Sequence, residues 1–504
     1  MIPARTSDSR LFATCFAAIV ATSFGFILRA LVIDDWGREF ALSETQKGEL
    51  LGVGLWPFSI SIVLLSLLID RIGFRVTLWF AAACHLTGLA VLLTAHGYWA
   101  LYTGTFTMAL GNGAVEAAAN PLVATLYNND KPKWLNRLHA GWPAGLILGG
   151  VLALAAGSAT DWRLKCSLLA IPVAIYAAML IGRRFPVSER VASGTSFRAM
   201  LKEAGFVSAA IILFLMMLEI GRIADFSTLT TMAIVAVLTA VYGFYARGAP
   251  GRPLFVILVL IMIPLATTEL STDSWISSLM EPEMRGFGLQ GGWVLVYTST
   301  IVFAIRIFAG SLIHWLKPLP VLGIGAALAF AGLYMLSSTA GLGLLAAATL
   351  YGIGKSFFWG TSLGVCSEQF PKGGAVTINV MAGAGMLAAG IIGSVMMGAA
   401  QDRATATALI DHDAQYNTHL AETYLTGSRI GIFGPYRSLD TRKAEAGDTA
   451  DRNLVTTAQV DSKKTALKDV AKLPLAMLAA YLCLIAFFHV RGGYRPVVLA
   501  QVLE

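Results

Sequence analysis

Apolar runs of roughly 18 residues or more recur along nearly the whole chain, each long enough to cross hydrocarbon as a helix. They lie near residues 11–33, 47–69, 75–95, 99–123, 135–157 and 165–183. A basic connector follows, F-P-V-S-E-R-V-A-S-G-T-S-F-R-A-M-L-K-E, with Arg183 and Arg184 just before it. Two more runs lie near 205–221 and 228–246, and six near 254–276, 289–313, 319–338, 341–362, 375–399 and 472–490. The pattern predicts an all-α membrane protein of about 14 spans, grouped six, two and six. The expected units are a six-helix bundle over 1–184, a cytoplasmic connector with an inserted transmembrane hairpin over 185–252, and a second six-helix bundle over 253–504. The one sizeable polar stretch, 401–470, carries mixed charge and reads as a long, solvated external loop.

Lys and Arg in the short loops set the expected orientation. Arg5, Arg10, Arg71, Arg75, Lys131, Lys133, Arg137, the cluster from Arg183 to Lys202, Arg247 and Arg252 share one side if both termini are cytoplasmic. Lys47, Arg163 and Lys165 are exceptions. The first helix lacks a polar c-region and an A-x-A site, so it reads as an uncleaved span. Composition agrees: the 504 residues are 56% hydrophobic and 13% charged, against about 25% charged in soluble domains. A net charge of +7 suits cationic loops at a bilayer and gives no reason to expect nucleic acid.

Five scattered cysteines offer neither a disulfide framework nor metal-ligand spacing. Asp411-His412-Asp413 lacks further ligands at useful spacing, so no metal site is expected. Gly-rich phosphate loops and nucleophile–base spacings are also missing, which argues against an enzyme and against any cofactor.

The two halves repeat weakly. Ala21-Thr22-Ser23 mirrors Ala266-Thr267-Thr268, Gly111-x-Gly113 mirrors Gly352-x-Gly354, and Ala140-Gly141 mirrors Ala382-Gly383. Parallel six-helix repeats related by an axis along the membrane normal are the signature of the major facilitator architecture.

Glu116 interrupts an otherwise apolar helix in G-N-G-A-V-E-A-A-A-N-P-L-V. A carboxylate at bilayer depth is costly when charged, which makes it a functional-site candidate. Asn112 and Asn120, four residues to either side, share its face, and Pro121 removes a backbone hydrogen bond there. Burial disfavours the charged carboxylate and brings proton uptake within reach; a neutralised structural acid is the alternative. In the second half, Glu269 lies about 22 Å along its helix from Leu254, well inside the bilayer. Asp273 follows four residues on, with Trp275 beside it, and Lys355 interrupts the tenth core helix. Two acids and a cation on facing helices suggest a switchable ion pair or ligand clamp; Asp273 at the interface and Lys355 at the headgroups are the alternatives.

Indole faces and amides are what sugar recognition needs. Asn136, His139, Trp142, Gln290, Trp293, Trp359 and Asn379 are the candidates, although a core or belt role competes for each Trp. His139 is either a proton shuttle or a hydrogen-bonded core residue. Glu219 and Arg222 in the hairpin read as a local outer-interface pair, with the hairpin packed at the bundle periphery.

Two stretches carry a family resemblance. L-I-D-R-I-G-F-R, with Asp70, Arg71, Gly73 and Arg75, resembles the cytoplasmic loop motif of the major facilitator superfamily, with Ser66 where the family has Gly. Its counterpart in the second half is Arg306, Gly310 and His314, without the acid. These are gating candidates, and a positive-inside loop with a Gly turn is the simpler reading. G-N-G-x-x-E-A-A-x-N-P-L-V followed by L-N-x-x-H-A-G-W-P-A-G resembles the fucose–proton and glucose/galactose symporter branch.

That resemblance implies a monomeric, multi-pass protein of the bacterial plasma (inner) membrane, moving a small-molecule substrate such as a monosaccharide with protons by alternating access. Glu116 is then the proton-coupling residue. An exporter of a drug or metabolite on the same fold is the alternative. One departure stands out: where the branch carries a further acid in its first helix, this chain has Ala30 beside Arg29. Arg29, a further gating candidate, either pairs with an acid across the cavity or snorkels to the outer interface.

Overall fold

The computed structural model describes residues 6–127, 131–186 and 196–497. Within them, eleven helical segments are long and apolar enough to cross a membrane. The first bundle comprises α1 (Thr6–Phe40), α2 (Glu44–Gly52), α3 (Trp56–Leu93), α4 (Tyr98–Leu126), α5 (Lys131–His139), α6 (Gly141–Ala155), α7 (Trp162–Ser167) and α8 (Ala170–Leu180). The expected second helix begins as α2, started by a capping box in which Ser43 and Gln46 bond each other's backbone amides. It continues into α3, which also holds the expected third helix. Gly73, at φ 80° and ψ 158°, separates the two; glycine enters that region without a Cβ penalty.

Two helices follow, α9 (Phe197–Ile223) and α10 (Thr228–Tyr245). The second bundle comprises α11 (Pro253–Ala266), α12 (Thr272–Arg285), α13 (Gly292–Leu316), α14 (Pro318–Leu336), α15 (Gly343–Lys355), α16 (Phe358–Gln369), α17 (Gly374–Leu387) and α18 (Ser394–Tyr416). π-Helical turns at Thr267–Ser271 and Ala388–Gly393 join α11 to α12 and α17 to α18. The repeated Gly-x-Gly pairs serve close packing in both halves. A Cβ on Gly113 would stand 2.2 Å from the Phe58 carbonyl oxygen, and one on Gly354 would stand 2.5 Å from Ala329 N.

The polar stretch 401–470 is not the open loop expected from its charge. Its ends continue the spanning helices, as the last part of α18 and the start of the 42-residue α21 (Thr449–Val490). Between them lie α19 (Leu420–Tyr424), an antiparallel β1–β2 hairpin (Arg429–Gly431 with Gly434–Tyr436) and α20 (Thr441–Ala446). Leu409, Leu420, Tyr424, Leu425 and Val455 give this appendage a small core of its own.

The bundles meet along α2–α3 and α17–α18 with their backbones nearly touching. A Cβ on Gly52 would fall 1.9 Å from the Gly390 carbonyl oxygen, and one on Gly48 would fall 2.5 Å from that of Ser394. At the appendage end the contacts are polar. Asp402 of α18 accepts from Thr45 N at 2.8 Å and Thr45 Oγ1 at 2.6 Å, so it caps α2 from the other bundle. Tyr436 lies 3.3 Å from Ser43 Oγ, and Arg429 donates to Gln46 at 2.8 Å. Ser278 donates to Asp34 at 2.9 Å.

Two of the loop cations that broke the expected charge pattern have local acids. Lys47 pairs with Asp34 and Glu44 at 2.9 and 2.7 Å, and Arg163 pairs with Glu39 at 2.8 Å.

The inserted pair is no mere peripheral feature. Only α10 is largely exposed along its length. α9 packs along α17 of the second bundle and reaches the first through its far end. Glu219 and Arg222 are therefore not only a local pair: Arg222 Nη1 lies 3.1 Å from Glu49, and Tyr102 donates to Glu219 at 2.9 Å.

Candidate functional site

Glu116 is buried in α4, as its apolar surroundings predict. Asn120, one turn on, donates through Nδ2 to Glu116 Oε2 at 2.7 Å, the contact that i,i+4 spacing allows. His139 at the end of α5 faces Oε1, with its Nδ1 at 3.9 Å. Asn112 turns elsewhere: its Oδ1 lies 2.8 Å from His85 Nε2, and His85 Nδ1 lies 2.9 Å from the Tyr176 hydroxyl. Asn112 thus belongs to a buried chain joining α4 to α3 and α8. Nothing in the apolar run around it singles out His85, one lone histidine.

The second bundle contributes two ion pairs. Glu269 lies in the first π turn and takes a hydrogen bond from Arg306 Nη2 at 3.0 Å, the side chains being 7% and 9% exposed. Arg306 Nε also donates to the Ser356 carbonyl at 3.3 Å. Arg306 therefore sits among the buried charges rather than in a loop counterpart of the Asp70–Arg75 motif; the side chains of Gly310 and His314 lie outside the described residues. The helix that carries Arg306, α13, packs against α5, which ends in His139, where the two bundles meet. Lys355 holds Asp273 at 2.5 Å, with the Tyr351 hydroxyl 3.3 Å from the same oxygen. Both residues are buried, so neither reaches the interface.

The remaining candidates divide. Trp275 is fully buried and donates to the Ser394 carbonyl at 2.9 Å, joining α12 to α18. Gln290 bonds the Leu154 carbonyl at 3.3 Å, and Asn379 donates to Ser66 at 2.6 Å; both contacts cross between the bundles. Ser66 is the residue that departs from the loop motif. Trp142, Trp293 and Trp359 are half-buried, with Trp142 5.7 Å from Phe26 ring to ring. Arg71 and Arg75 are exposed, beside the turn at Gly73. The side chains of Asp70 and Asn136 lie outside the described residues.

Arg29 follows neither expected course. It is buried in the first bundle, 4% exposed, with no acid paired to it among the described residues. A cavity of about 740 Å³ lies between α18 and α21, but none of the candidate residues lines it.

Two bundles of apolar helices with buried charges where they face each other are the arrangement that the weak internal repeat foreshadows. A family model described as Major Facilitator Superfamily matches residues 11–394. The chain belongs to the major facilitator superfamily. It is a transporter and not an enzyme. Among solved major facilitator structures, it is similar to a bacterial homolog of the human lysosomal transporter Spinster in an inward-facing conformation, at 14% identity and a TM-score of 0.66, covering 98% of this chain and 100% of that one. It is also similar to the xylose transporter XylE from E. coli, at 15% identity and a TM-score of 0.56, covering 78% and 92%. The E. coli fucose:proton symporter FucP follows at 15% identity and a TM-score of 0.50, covering 93% and 99%. At these identities the likeness is one of fold. No curated protein matches the chain.

Proposed function

We propose that this transporter couples the inward movement of a monosaccharide or related polyol to protons, with Glu116 as the proton carrier. The observation that carries the reading is the company Glu116 keeps: a buried carboxyl whose near partners are an amide and an imidazole, with no fixed cation paired to it among the described residues. Glu269 and Asp273 are each paired with a cation, Arg306 and Lys355, so their charge is already matched within the second bundle. A proton on the Glu116–His139 pair removes charge from the first bundle's face and leaves Arg306 to Glu269. Its release restores a negative partner for Arg306 across the gap, which biases the two bundles toward a different approach.

A polyol suits the polar atoms left over. Asn120 Oδ1 and Glu269 Oε2 are buried acceptors without a hydrogen-bond partner among the described residues, one in each bundle, and hydroxyl groups are the donors that complete such acceptors. Half-buried Trp142, Trp293 and Trp359 supply faces for the C–H side of a sugar ring. Xylose and fucose transporters are among the structural relatives, in keeping with this reading.

The test is uptake of radiolabelled hexoses and pentoses into proteoliposomes under an imposed inward proton gradient. The wild-type chain is expected to accumulate its sugar above equilibrium. Glu116→Gln is expected to lose accumulation while keeping counterflow exchange. Undiminished gradient-driven accumulation by Glu116→Gln sinks the proton-carrier role, and proton-driven extrusion of solute sinks import.

A further inference from the structure

We propose that the first bundle contains a site for a single halide ion, chloride in the cell, in a cavity beside Arg29. The guanidinium is buried with no hydrogen bond or ion pair to any described residue, and its Nε is among the buried atoms left without one. Its one notable contact is the Phe26 ring, 5.5 Å away. It lies flat on Gly54, where a Cβ would fall 2.0 Å from Arg29 Cζ, so the glycine is what gives the charge room inside the bundle. A lone cation held this deep demands a counter-charge.

The cavity it borders is small, about 10 Å³, with room for one water-sized particle. Arg29, Trp36, Thr105 and Cys166 line it, among leucines. Three polar atoms on these residues are buried without a partner among the described residues: Arg29 Nε, Trp36 Nε1 and Thr105 Oγ1. The first two can only donate, and the third can donate. Two obligate donors and a hydroxyl able to act as a third, around one unbalanced positive charge, are complementary to an anion. A water molecule accepts two such bonds and can return one to Thr105 Oγ1, but it leaves the charge unbalanced. A halide accepts from every donor and neutralises Arg29. The size of the cavity excludes phosphate and sulfate. This site is separate from Glu116 and its partners, and it stands whichever solute the transporter moves.

The test is thermal unfolding of the purified full-length chain in detergent, in sodium chloride, bromide or gluconate at equal ionic strength. The melting temperature is expected to rise saturably with chloride and bromide, by roughly 2 °C or more, and not with gluconate. Arg29→Gln is expected to abolish the halide effect, and Thr105→Val to weaken the apparent halide affinity several-fold. Crystals grown in bromide should show an anomalous peak within the cavity. Should Arg29→Gln fail to fold, Thr105→Val and the bromide peak decide the matter. A melting temperature indifferent to halide, an effect unchanged in Thr105→Val, or a cavity without bromide overturns the proposal in favour of a buried water.

Discussion

Arg222 of the inserted hairpin bonds Glu219 on its own helix through Nε and Nη2, at 2.9 and 2.7 Å, and turns its remaining Nη1 to Glu49 of the first bundle at 3.1 Å. Tyr98 and Tyr102 of α4 donate to the same two acids at 2.5 and 2.9 Å. One guanidinium thus serves two buried carboxylates from different parts of the chain. Arg222→Met strands both, and breaking a buried pair in this way costs about 3 kcal/mol or more. The expected result is a clearly lowered melting temperature, much of it recovered when Glu49→Gln is added. Additive losses in the double variant would show that the cluster is not coupled.

Arg306 bridges the Glu269 carboxylate and the Ser356 carbonyl, a fork that lysine cannot reproduce. Arg306→Lys should therefore keep the charge and fold while lowering uptake at saturating solute. Arg306→Met should lose about 3 kcal/mol by leaving Glu269 buried alone, and adding Glu269→Gln should restore stability without restoring transport. Melting curves and proteoliposome uptake on the same preparations separate the two effects.

Gly52 is where the two bundles come closest. Its missing Cβ leaves room for the Gly390 carbonyl, and overpacking at such a point costs about 1–3 kcal/mol. Gly52→Ala should destabilise the chain and slow exchange between its two conformations. A Cβ at Gly364 meets nothing within 4 Å, so Gly364→Ala should be neutral in the same assays and serves as the control.

The cap that Asp402 places on α2 is worth about 1–2 kcal/mol by analogy with helix caps generally. Asp402→Ala should loosen the appendage from the first bundle. The measurement is thiol labelling of Tyr436→Cys in a background lacking the exposed Cys483, since Tyr436 lies against Ser43. Labelling should speed up when Asp402 is removed. An unchanged rate would mean that the contact with α2 does not depend on Asp402.

The helices and the Glu116–Asn120 contact were legible because both follow from spacing along one strand of sequence. Apolar length marks a span, and four residues mark a turn. The Arg306–Glu269 bond was not legible, since it joins residues 37 positions apart on helices whose rotation about their axes no apolar pattern fixes when every face is apolar. His85 stayed hidden for the same reason. The appendage departs from the open loop that its charge suggests because periodicity, not charge, decides its fold. Val455, Ala458, Ser462 and Ala466 are buried at steps of three and four, the helical signal that the mixed charges of 449–470 obscured. Arg29 was visible as an oddity, but its isolation was not, because the lack of a neighbour is a property of three dimensions.

The appendage grows from the second bundle yet grips the first by hydrogen bonds: Asp402 to Thr45, Tyr436 to Ser43, Arg429 to Gln46. Water can take over each of these bonds in turn, so the grip comes undone stepwise, with Tyr436 and Ile432 the apolar side chains it uncovers. Such a clasp adds little heat-capacity change when it opens. The rate at which this end of the transporter breathes should then follow a nearly straight Arrhenius line, whereas the glycine seam beneath it, being backbone against backbone, yields as one piece or not at all.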